Sequence, residues 1–265
     1  LIEADSLSTF LTVPSILQRI TASALAHEAN TSSLRVIGYA GSFMPVKTVR
    51  ELQALFPEVQ LHNFFGLTET TSATHVLDGE AAYERPDSIG RLLPFVEAII
   101  VDEQAQPVPP GTVGELLFAR DNVISGYWNQ PGKLEQALVT VEGRTWFNTG
   151  DLAAVDEEGF FFIKGRKKDM IIVGGENVFA AEVEATLLNC EGVKEAAVKG
   201  IPATGVRESL GEMIKAYIVV VDTSLTEQQI RRHCHTCLPS YKIPHVITFL
   251  DALPRNPAGK IVKAD

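Results

Sequence analysis

The chain has 265 residues, of which 45% are hydrophobic and 21% charged, a composition that supports a folded core and excludes a disordered tail. Its 23 basic and 33 acidic residues give a net charge of −10, which disfavours nucleic acid and anionic membranes as partners. No apolar run approaches the ~20 residues of a membrane span, and three cysteines fit a reducing cytoplasm. We therefore expect a cytoplasmic protein of one or two domains, cut from a longer polypeptide because it begins with Leu1 rather than Met.

The first third of the chain predicts an α/β unit. Apolar residues recur at helical spacing over residues 6–29 and predict an amphipathic helix. A strand over 34–38, a helix over 46–56 and a strand over 59–65 follow. A strand, helix, strand sequence indicates parallel pairing, which places functional residues in the loops at the carboxyl ends of the strands.

Short apolar runs punctuated by Gly and Pro follow residue 87 and predict a β-rich subdomain. Its strands are expected at 95–101, 114–119, 145–147, 151–155 and 160–163. From residue 169 onward, strands and helices alternate again and predict a separate α+β module. Its strands are expected at 170–173, 193–201, 214–221 and 246–250, with helices at 180–188 and 227–238.

The first candidate site motif spans residues 63–72 and follows a predicted strand. Phe65 offers a face on which a flat ring can stack, and Thr68 offers a hydroxyl for phosphate. Glu69 offers a carboxylate for Mg²⁺, which prefers one or two carboxylates plus substrate phosphate. The alternative is a strand end followed by the Thr-rich N-cap of a helix.

Three further motifs carry polar groups suited to a nucleotide. Asp151 follows a Thr-Gly turn and can accept hydrogen bonds from a ribose diol, although Gly-Asp turns are also common in proteins without such a site. Arg166 opens a basic run that leads to the pair Gly174-Gly175 and equally fits an interdomain hinge or a solvated face before an edge strand. Lys260 lies in a Pro/Gly loop and can neutralise charge developing on phosphate.

The cysteines invite a metal interpretation, which the spacing disfavours. Cys234 and Cys237 lack a nearby second pair of ligands, since only Cys190 and His245 are candidates at a distance. Their i, i+3 spacing on a predicted helix favours a pair of thiols packed in the core.

Taken in order, the motifs resemble those of the adenylate-forming superfamily of acyl- and aryl-CoA ligases, luciferases and peptide-synthetase adenylation domains. The resemblance covers nearly the whole chain. The matching segments are Tyr39-Ala40-Gly41-Ser42, Phe64-Phe65-Gly66-Leu67-Thr68-Glu69, Gly126-Tyr127-Trp128, Thr149-Gly150-Asp151, Gly165-Arg166-Lys167-Lys168-Asp169, Tyr241-Lys242-Ile243-Pro244 and Pro257-Ala258-Gly259-Lys260.

The resemblance implies a two-step reaction in which a carboxylate attacks the α-phosphate of ATP and a thiol then displaces AMP. It implies that Phe65 stacks on adenine, with Gly41, Asn63 and Gly66 among the nucleotide-binding residues. Thr68 is implied as a phosphate contact and Glu69 as the Mg²⁺ ligand.

The remaining implied roles lie further along the chain. Asp151 is implied to hold the ribose and Arg166 to support ribose and phosphate. Lys260 is implied to bridge the attacking carboxylate and the α-phosphate. Lys168 matches the hinge about which a small C-terminal domain rotates to bring Gly174-Gly175 to the thiol channel.

The resemblance also implies the domain organisation. Residues 1–167 correspond to the C-terminal portion of a large nucleotide-binding domain, divided into an α/β segment (1–86) and a β-rich, barrel-like subdomain (87–167). Residues 168–265 correspond to a small mobile α+β lid. The family's Gly-rich phosphate loop is expected upstream of Leu1, since no such loop occurs here.

Three hypotheses follow. The first is the C-terminal half of an acyl- or aryl-CoA ligase that uses ATP, Mg²⁺, coenzyme A and a small carboxylic acid, which the segment Gly66-Leu67-Thr68-Glu69 favours. The second is an adenylation module that loads a carrier protein. The third is a catalytically silent fragment that serves as an interaction domain.

Overall fold

The computed structural model describes residues 2–221, 224–255 and 261–263. The polypeptide divides into two units, Leu1–Ile163 and Lys164–Asp265, and each has hydrophobic clusters of its own. Both units combine helices with strands, which confirms the predicted α/β fold class.

A five-stranded mixed sheet begins the first unit. Its strands, in chain order and in spatial order, are β1 (Thr9–Thr12), β2 (Val36–Ala40), β3 (Gln60–Gly66), β4 (Ala73–Leu77) and β5 (Arg91–Leu92). The first three strands are parallel, whereas β4 and β5 pair antiparallel. The helices of this part are α1 (Pro14–Thr21), α2 (Ala24–Glu28), α3 (Val46–Leu55) and α4 (Ala81–Glu84).

The predicted strand, helix, strand unit is confirmed as β2, α3 and β3. Val49 and Leu52 of α3 are buried in one cluster with Ile37 of β2 and Leu61 of β3. Packing of α3 on the sheet therefore fixes the relative positions of β2 and β3, at whose carboxyl ends the candidate site lies.

The single helix predicted over residues 6–29 is wrong, because β1, α1 and α2 occupy that stretch. Pro14 is the first residue of α1, and the residue before it, Val13, is extended with φ −108° and ψ 153°. Proline disfavours helical geometry in the residue before it and favours an extended conformation there, and the chain before Pro14 pairs as a strand. The Thr-rich helix N-cap considered after Phe65 is wrong as well, since β4 begins at Ala73.

A second sheet follows, and its last strand ends three residues beyond the boundary between the units at Ile163. Its strands are β6 (Ala98–Val101), β7 (Gly114–Ala119), β8 (Leu138–Val141), β9 (Arg144–Val155) and β10 (Phe161–Arg166). The order is β10-β9-β7-β6, and β8 also pairs with β9. The two short strands predicted at 145–147 and 151–155 form one strand of 12 residues.

The second unit begins with a hairpin of β11 (Met170–Val173) and β12 (Glu176–Phe179). A three-stranded sheet follows, and it consists of β13 (Val193–Pro202), β14 (Glu212–Val220) and β15 (Val246–Phe249). The helices α5 (Ala180–Leu188) and α6 (Glu227–Cys237) pack into the same core as this sheet.

The predicted pairing of Cys234 with Cys237 in the core is wrong. Cys234 is buried in the cluster that also contains Cys190, whereas Cys237, at the end of α6, is exposed. All three thiols are free. Over the described ranges, no helix combines the length and the apolar character that crossing a membrane requires.

Candidate functional site

The carboxyl ends of β2 and β3 bring several of the predicted residues to one edge of the first sheet. The parallel register sets Tyr39 opposite Asn63 and Ala40 opposite Phe64. Gly41 leaves the end of β2 with φ +91°, a conformation that favours glycine. Phe65 is the penultimate residue of β3, so it lies near this edge of the sheet with Gly41 and Asn63.

The loop after β3 is tightly closed. A Cβ atom on Gly66 would lie 2.3 Å from the carbonyl oxygen of Ser72, so the backbone approach requires glycine. The buried hydroxyl of Thr70 accepts a hydrogen bond from the backbone N–H of Leu67 (2.9 Å) and donates to the Ser72 carbonyl (2.9 Å). These contacts fix the loop that carries Thr68, which is exposed, and Glu69, which is half-buried.

An aromatic cluster supports the Phe65 ring from the protein side. The ring meets His75 of β4 edge to face, with centroids 5.6 Å apart, and His75 in turn contacts Phe118 and Phe161. Burial lowers the pKa of His75 to about 3, so its imidazole is neutral at physiological pH. The Thr74 hydroxyl lies 3.0 Å from Nδ1 of His75 and 3.2 Å from the Phe65 carbonyl oxygen.

Asp151 lies within β9 and is buried. Gly150, which precedes it in the same strand, has φ +72°, and the Asp151 N–H donates to the Thr149 hydroxyl at 3.0 Å. Two residues on, Ala153 belongs to a cluster of buried residues on which Phe65 also packs. One core therefore supports both the strand of Phe65 and the strand of Asp151.

Tyr127 is a residue whose role the sequence did not reveal. Its hydroxyl donates a hydrogen bond to Oε1 of Glu69, although the two residues are 58 positions apart. The pKa of Tyr127 is raised to about 12, chiefly by that hydrogen bond and secondly by burial. The only signal in the sequence was the position of Tyr127 in one of the family motifs.

Four predicted residues belong to the second unit. Arg166 ends β10, and Lys168 lies in a short exposed turn. Gly174 and Gly175 join β11 to β12 with φ +60° and +88°, as a tight turn requires.

Lys260 lies outside the described residues, which resume at Ile261. Arg255, the last described residue before Lys260, forms an antiparallel bridge with Ile261, the first described residue after it. Lys263 forms an ion pair with Glu184 at 2.8 Å. That pair borders a cavity of about 190 Å³ that Arg166 also lines.

A larger cavity, of about 540 Å³, lies elsewhere and contains none of the predicted residues. Gln60, at the amino end of β3, lines it together with Arg50 and Tyr83, so it opens at the opposite end of that strand from Phe65. Within the part of the chain that the structure describes, no three Cys, His, Asp or Glu residues are grouped as a metal site.

Comparison with known families identifies the two parts of the chain. The family model for the AMP-binding enzyme matches residues 1–128, and the model for the AMP-binding enzyme C-terminal domain matches residues 182–260. The chain belongs to the AMP-binding enzyme family. The resemblance drawn from the motifs is therefore confirmed.

The curated relatives include CoA ligases and a CoA synthase. A feruloyl-CoA synthase of Amycolatopsis is 35% identical over 266 residues, which cover 100% of this chain and 52% of the relative. The long-chain-fatty-acid–CoA ligase FadD13 of Mycobacterium tuberculosis is 34% identical over 251 residues, which cover 95% of this chain and 48% of the relative. The chain spans about half the length of the curated relatives it matches.

Solved structures of adenylate-forming enzymes share the fold. An amide bond synthetase from Marinactinospora thermotolerans superposes with a TM-score of 0.86 at 30% identity, covering 99% of this chain and 52% of that one. The o-succinylbenzoate CoA synthetase of Bacillus subtilis, solved with its acyl-adenylate intermediate, gives a TM-score of 0.84 at 31% identity, with coverages of 98% and 51%.

The close approach at Gly66 predicts a stability effect. Gly66→Ala is expected to lower the free energy of unfolding by about 2 kcal/mol, because the new methyl group meets backbone atoms that cannot move aside. Gly126→Ala is the matched control, since a Cβ there meets nothing within 4 Å, and a change below about 0.5 kcal/mol is expected. Urea unfolding measures both, and equal values for the two variants would contradict the assignment.

The contact between Tyr127 and Glu69 predicts a titration. The Tyr127 phenol, isolated as the absorbance difference between the chain and Tyr127→Phe, should titrate near pH 12. In Glu69→Gln its pKa should fall toward the ordinary value of about 10, whereas Glu142→Gln, at an exposed residue, should leave it unchanged. Because the bond raises the folded-state pKa, its contribution to folding is complete below about pH 10 and is lost as the pH rises through 12. An unshifted phenol in the unsubstituted chain would show that the hydrogen bond is absent in solution.

Proposed function

We propose that this chain supplies the adenosine-binding and part of the catalytic machinery of an AMP-forming ligase that joins a carboxylic acid to a thiol. The observation that carries the proposal is the edge formed by β2 and β3. There a glycine at positive φ, an aromatic ring, a hydroxyl and a carboxylate lie at the carboxyl ends of adjacent parallel strands. Ligands of open α/β sheets bind at such an edge, and the family membership points to an adenylate.

In this proposal the first unit binds the adenosine part of ATP. The Phe65 ring stacks on adenine, which its packing against His75 favours by fixing the ring plane. Asn63 and Gly66 border the base, and Gly41 lets the backbone pass close to the nucleotide. Asp151 accepts hydrogen bonds from the ribose hydroxyls. The buried position of this carboxylate strengthens those bonds, because few water molecules compete there.

The residues present fit Mg²⁺ as a companion of the nucleotide. Glu69 provides one carboxylate and Thr68 an exposed hydroxyl beside it. Mg²⁺ commonly keeps several waters and takes substrate phosphate oxygens as its other ligands. Bound Mg²⁺ would neutralise charge on the phosphates. Thr68 would donate a hydrogen bond to a phosphate oxygen.

The second unit would supply the cations and the conformational switch. Lys260 would hold the attacking carboxylate against the α-phosphate and stabilise negative charge at phosphorus, with Arg166 supporting ribose and phosphate. Rotation about Lys168 would then exchange Lys260 for the Gly174-Gly175 turn, along which the thiol reaches the adenylate. Such a switch lets one cleft serve both steps while water is kept out.

We accordingly propose that residues 1–167 are the C-terminal portion of the large AMP-binding domain, with segments 1–86 and 87–167, and that residues 168–265 are the mobile lid. The division of the chain into two units near residue 164 supports this assignment. The separate family models for residues 1–128 and 182–260 support it too.

Coenzyme A is the proposed thiol, because the curated relatives are named as CoA ligases or synthases. A carrier protein is the alternative thiol. The amide bond synthetase among the structural neighbours makes an amine a third acceptor to be compared. A cytoplasmic location suits these substrates and the three free thiols.

The test separates the two half-reactions in the complete gene product. Pyrophosphate exchange with ATP, Mg²⁺ and a panel of carboxylic acids reports adenylation. Product analysis with coenzyme A, a holo-carrier protein or an amine then identifies the acceptor. Adenylation by no acid would contradict the proposal and favour a catalytically silent protein, whereas exchange by the complete protein and not by the chain alone would support it.

Lys260→Ala is expected to reduce adenylation at least a hundredfold while leaving thiol transfer to a supplied acyl-adenylate largely intact. The reason is that Lys260 contacts the phosphate only in the first step. Lys194→Ala, at an exposed lysine of the second unit, serves as the matched control and should change neither rate. Equal loss of both half-reactions in Lys260→Ala would contradict the assigned role.

A further inference from the structure

The Glu69 carboxylate is held by a side chain from a distant segment. The Tyr127 hydroxyl donates to Oε1 of Glu69, and both side chains are half-buried. The backbone carbonyl of Glu69 is also engaged, since it accepts from the N–H of Ile124 at 2.8 Å. The loop after β3 and the segment around Tyr127 are therefore joined at two points, one through the backbone and one through side chains.

Tyr127 is itself fixed in place by its own segment. It pairs with Gln130 across a tight turn in which Asn129 has φ +53°. The Lys133 ammonium lies 4.9 Å from the centre of the Tyr127 ring and donates to Oε1 of Gln130 at 2.6 Å. A cation over the ring face is attractive, so the phenol is presented to Glu69 by a turn with a defined shape.

The backbone carbonyl groups that precede this turn are hydrogen-bonded as well. The guanidinium of Arg120 donates to the carbonyls of Val123, Ile124 and Ser125 at 3.1–3.4 Å. Because Ile124 is also the residue bonded to the Glu69 backbone, Arg120 stiffens the connection between the two segments. Movement of Tyr127 away from Glu69 would require several of these bonds to break.

The chemistry of a carboxylate gives this contact a use. An ionised carboxylate offers about four lone-pair sites on two oxygens. A donor on Oε1 restricts rotation of the side chain and leaves Oε2 available to a cation. Carboxylates that bind metals are commonly hydrogen-bonded in this way, and the outer partner contributes to affinity by orienting the ligand.

We propose that Tyr127 is a positioning residue that orients the Glu69 carboxylate for a divalent cation bound with the nucleotide. The inference rests on the proposed function, in which Glu69 is the Mg²⁺ ligand. It assigns to Tyr127 no contact with substrate or with the ion.

The test measures metal affinity directly. Mn²⁺, used as a paramagnetic probe in place of Mg²⁺, is titrated into the complete gene product with ATP no more than equimolar to the protein. Electron paramagnetic resonance, compared with protein-free Mn²⁺–ATP, then reports the Mn²⁺ bound at the protein. Tyr127→Phe keeps the aromatic ring that contacts the Lys133 ammonium and removes only the hydroxyl that bonds to Glu69. It is expected to raise the Kd for Mn²⁺ about tenfold, at the low end of the range for loss of an outer-shell partner.

Two controls make the result specific. Tyr217 also has a lysine ammonium near its ring face, since Lys215 Nζ lies 4.7 Å from the ring centre. Tyr217→Phe removes the hydroxyl from this tyrosine and should leave the Kd for Mn²⁺ within twofold. Affinity for AMP without metal should be unchanged in Tyr127→Phe. An equal loss of AMP and Mn²⁺ affinity would reveal a general structural defect and overturn the inference.

Glu69→Gln distinguishes failure of this inference from failure of the proposed function. If Glu69→Gln weakens Mn²⁺ binding and Tyr127→Phe does not, the positioning role is overturned and the function of Glu69 stands. If Glu69→Gln leaves Mn²⁺ affinity unchanged, Glu69 is not the ligand and both assignments fail. Weakening by both substitutions, with AMP affinity preserved in Tyr127→Phe, supports the inference.

Discussion

The parallel register between β2 and β3 is the constraint on which the candidate site depends. It sets Ala40 beside Phe64, so that Gly41 and the loop after Gly66 emerge at one edge of the sheet. Side chains alternate along a strand, and a shift of one residue would exchange the faces of Phe64 and Phe65. The burial of Ile37, Leu61 and their neighbours beneath α3 opposes such a shift, because the core residues would then face the wrong side. Packing of the α/β unit thus determines where the aromatic ring and the carboxylate lie.

The rest of the site is built on this edge by packing and hydrogen bonds. Phe65 lies against His75, a histidine kept neutral by burial, and shares a hydrophobic cluster with Ala153, two residues beyond Asp151. Glu69 is anchored by a loop that only glycine can close at position 66 and by the Tyr127 hydroxyl. Groups far apart in sequence are therefore held by rigid strands and their immediate connections, as preorganised binding requires.

Local sequence signals predicted those parts of the fold in which pattern and packing agree. The strands β3 and β7 and the helices α3 and α5 lie where apolar periodicity placed them. The prediction over residues 6–29 failed because helical spacing outweighed the effect of Pro14 on the residue before it. Strand β4 was missed because the threonines that precede it, Thr68, Thr70 and Thr71, suggested a helix cap. The Tyr127 contact with Glu69 is a tertiary contact that no local pattern encodes. The motif order predicted the family, whereas the relation of Lys260 to the first unit lies outside the described residues.

The central claim is that the edge formed by β2 and β3 binds adenosine through Phe65. The most direct measurement is the affinity of the complete gene product for AMP in Phe65→Ala and in Phe64→Ala, which removes the same side chain from the opposite face of the same strand. A ring that stacks on a base contributes about 1–3 kcal/mol. The account predicts at least about a fivefold loss of affinity in Phe65→Ala, from the low end of that range, and a smaller change in Phe64→Ala. Undiminished binding in Phe65→Ala, or a greater loss in Phe64→Ala, would contradict it.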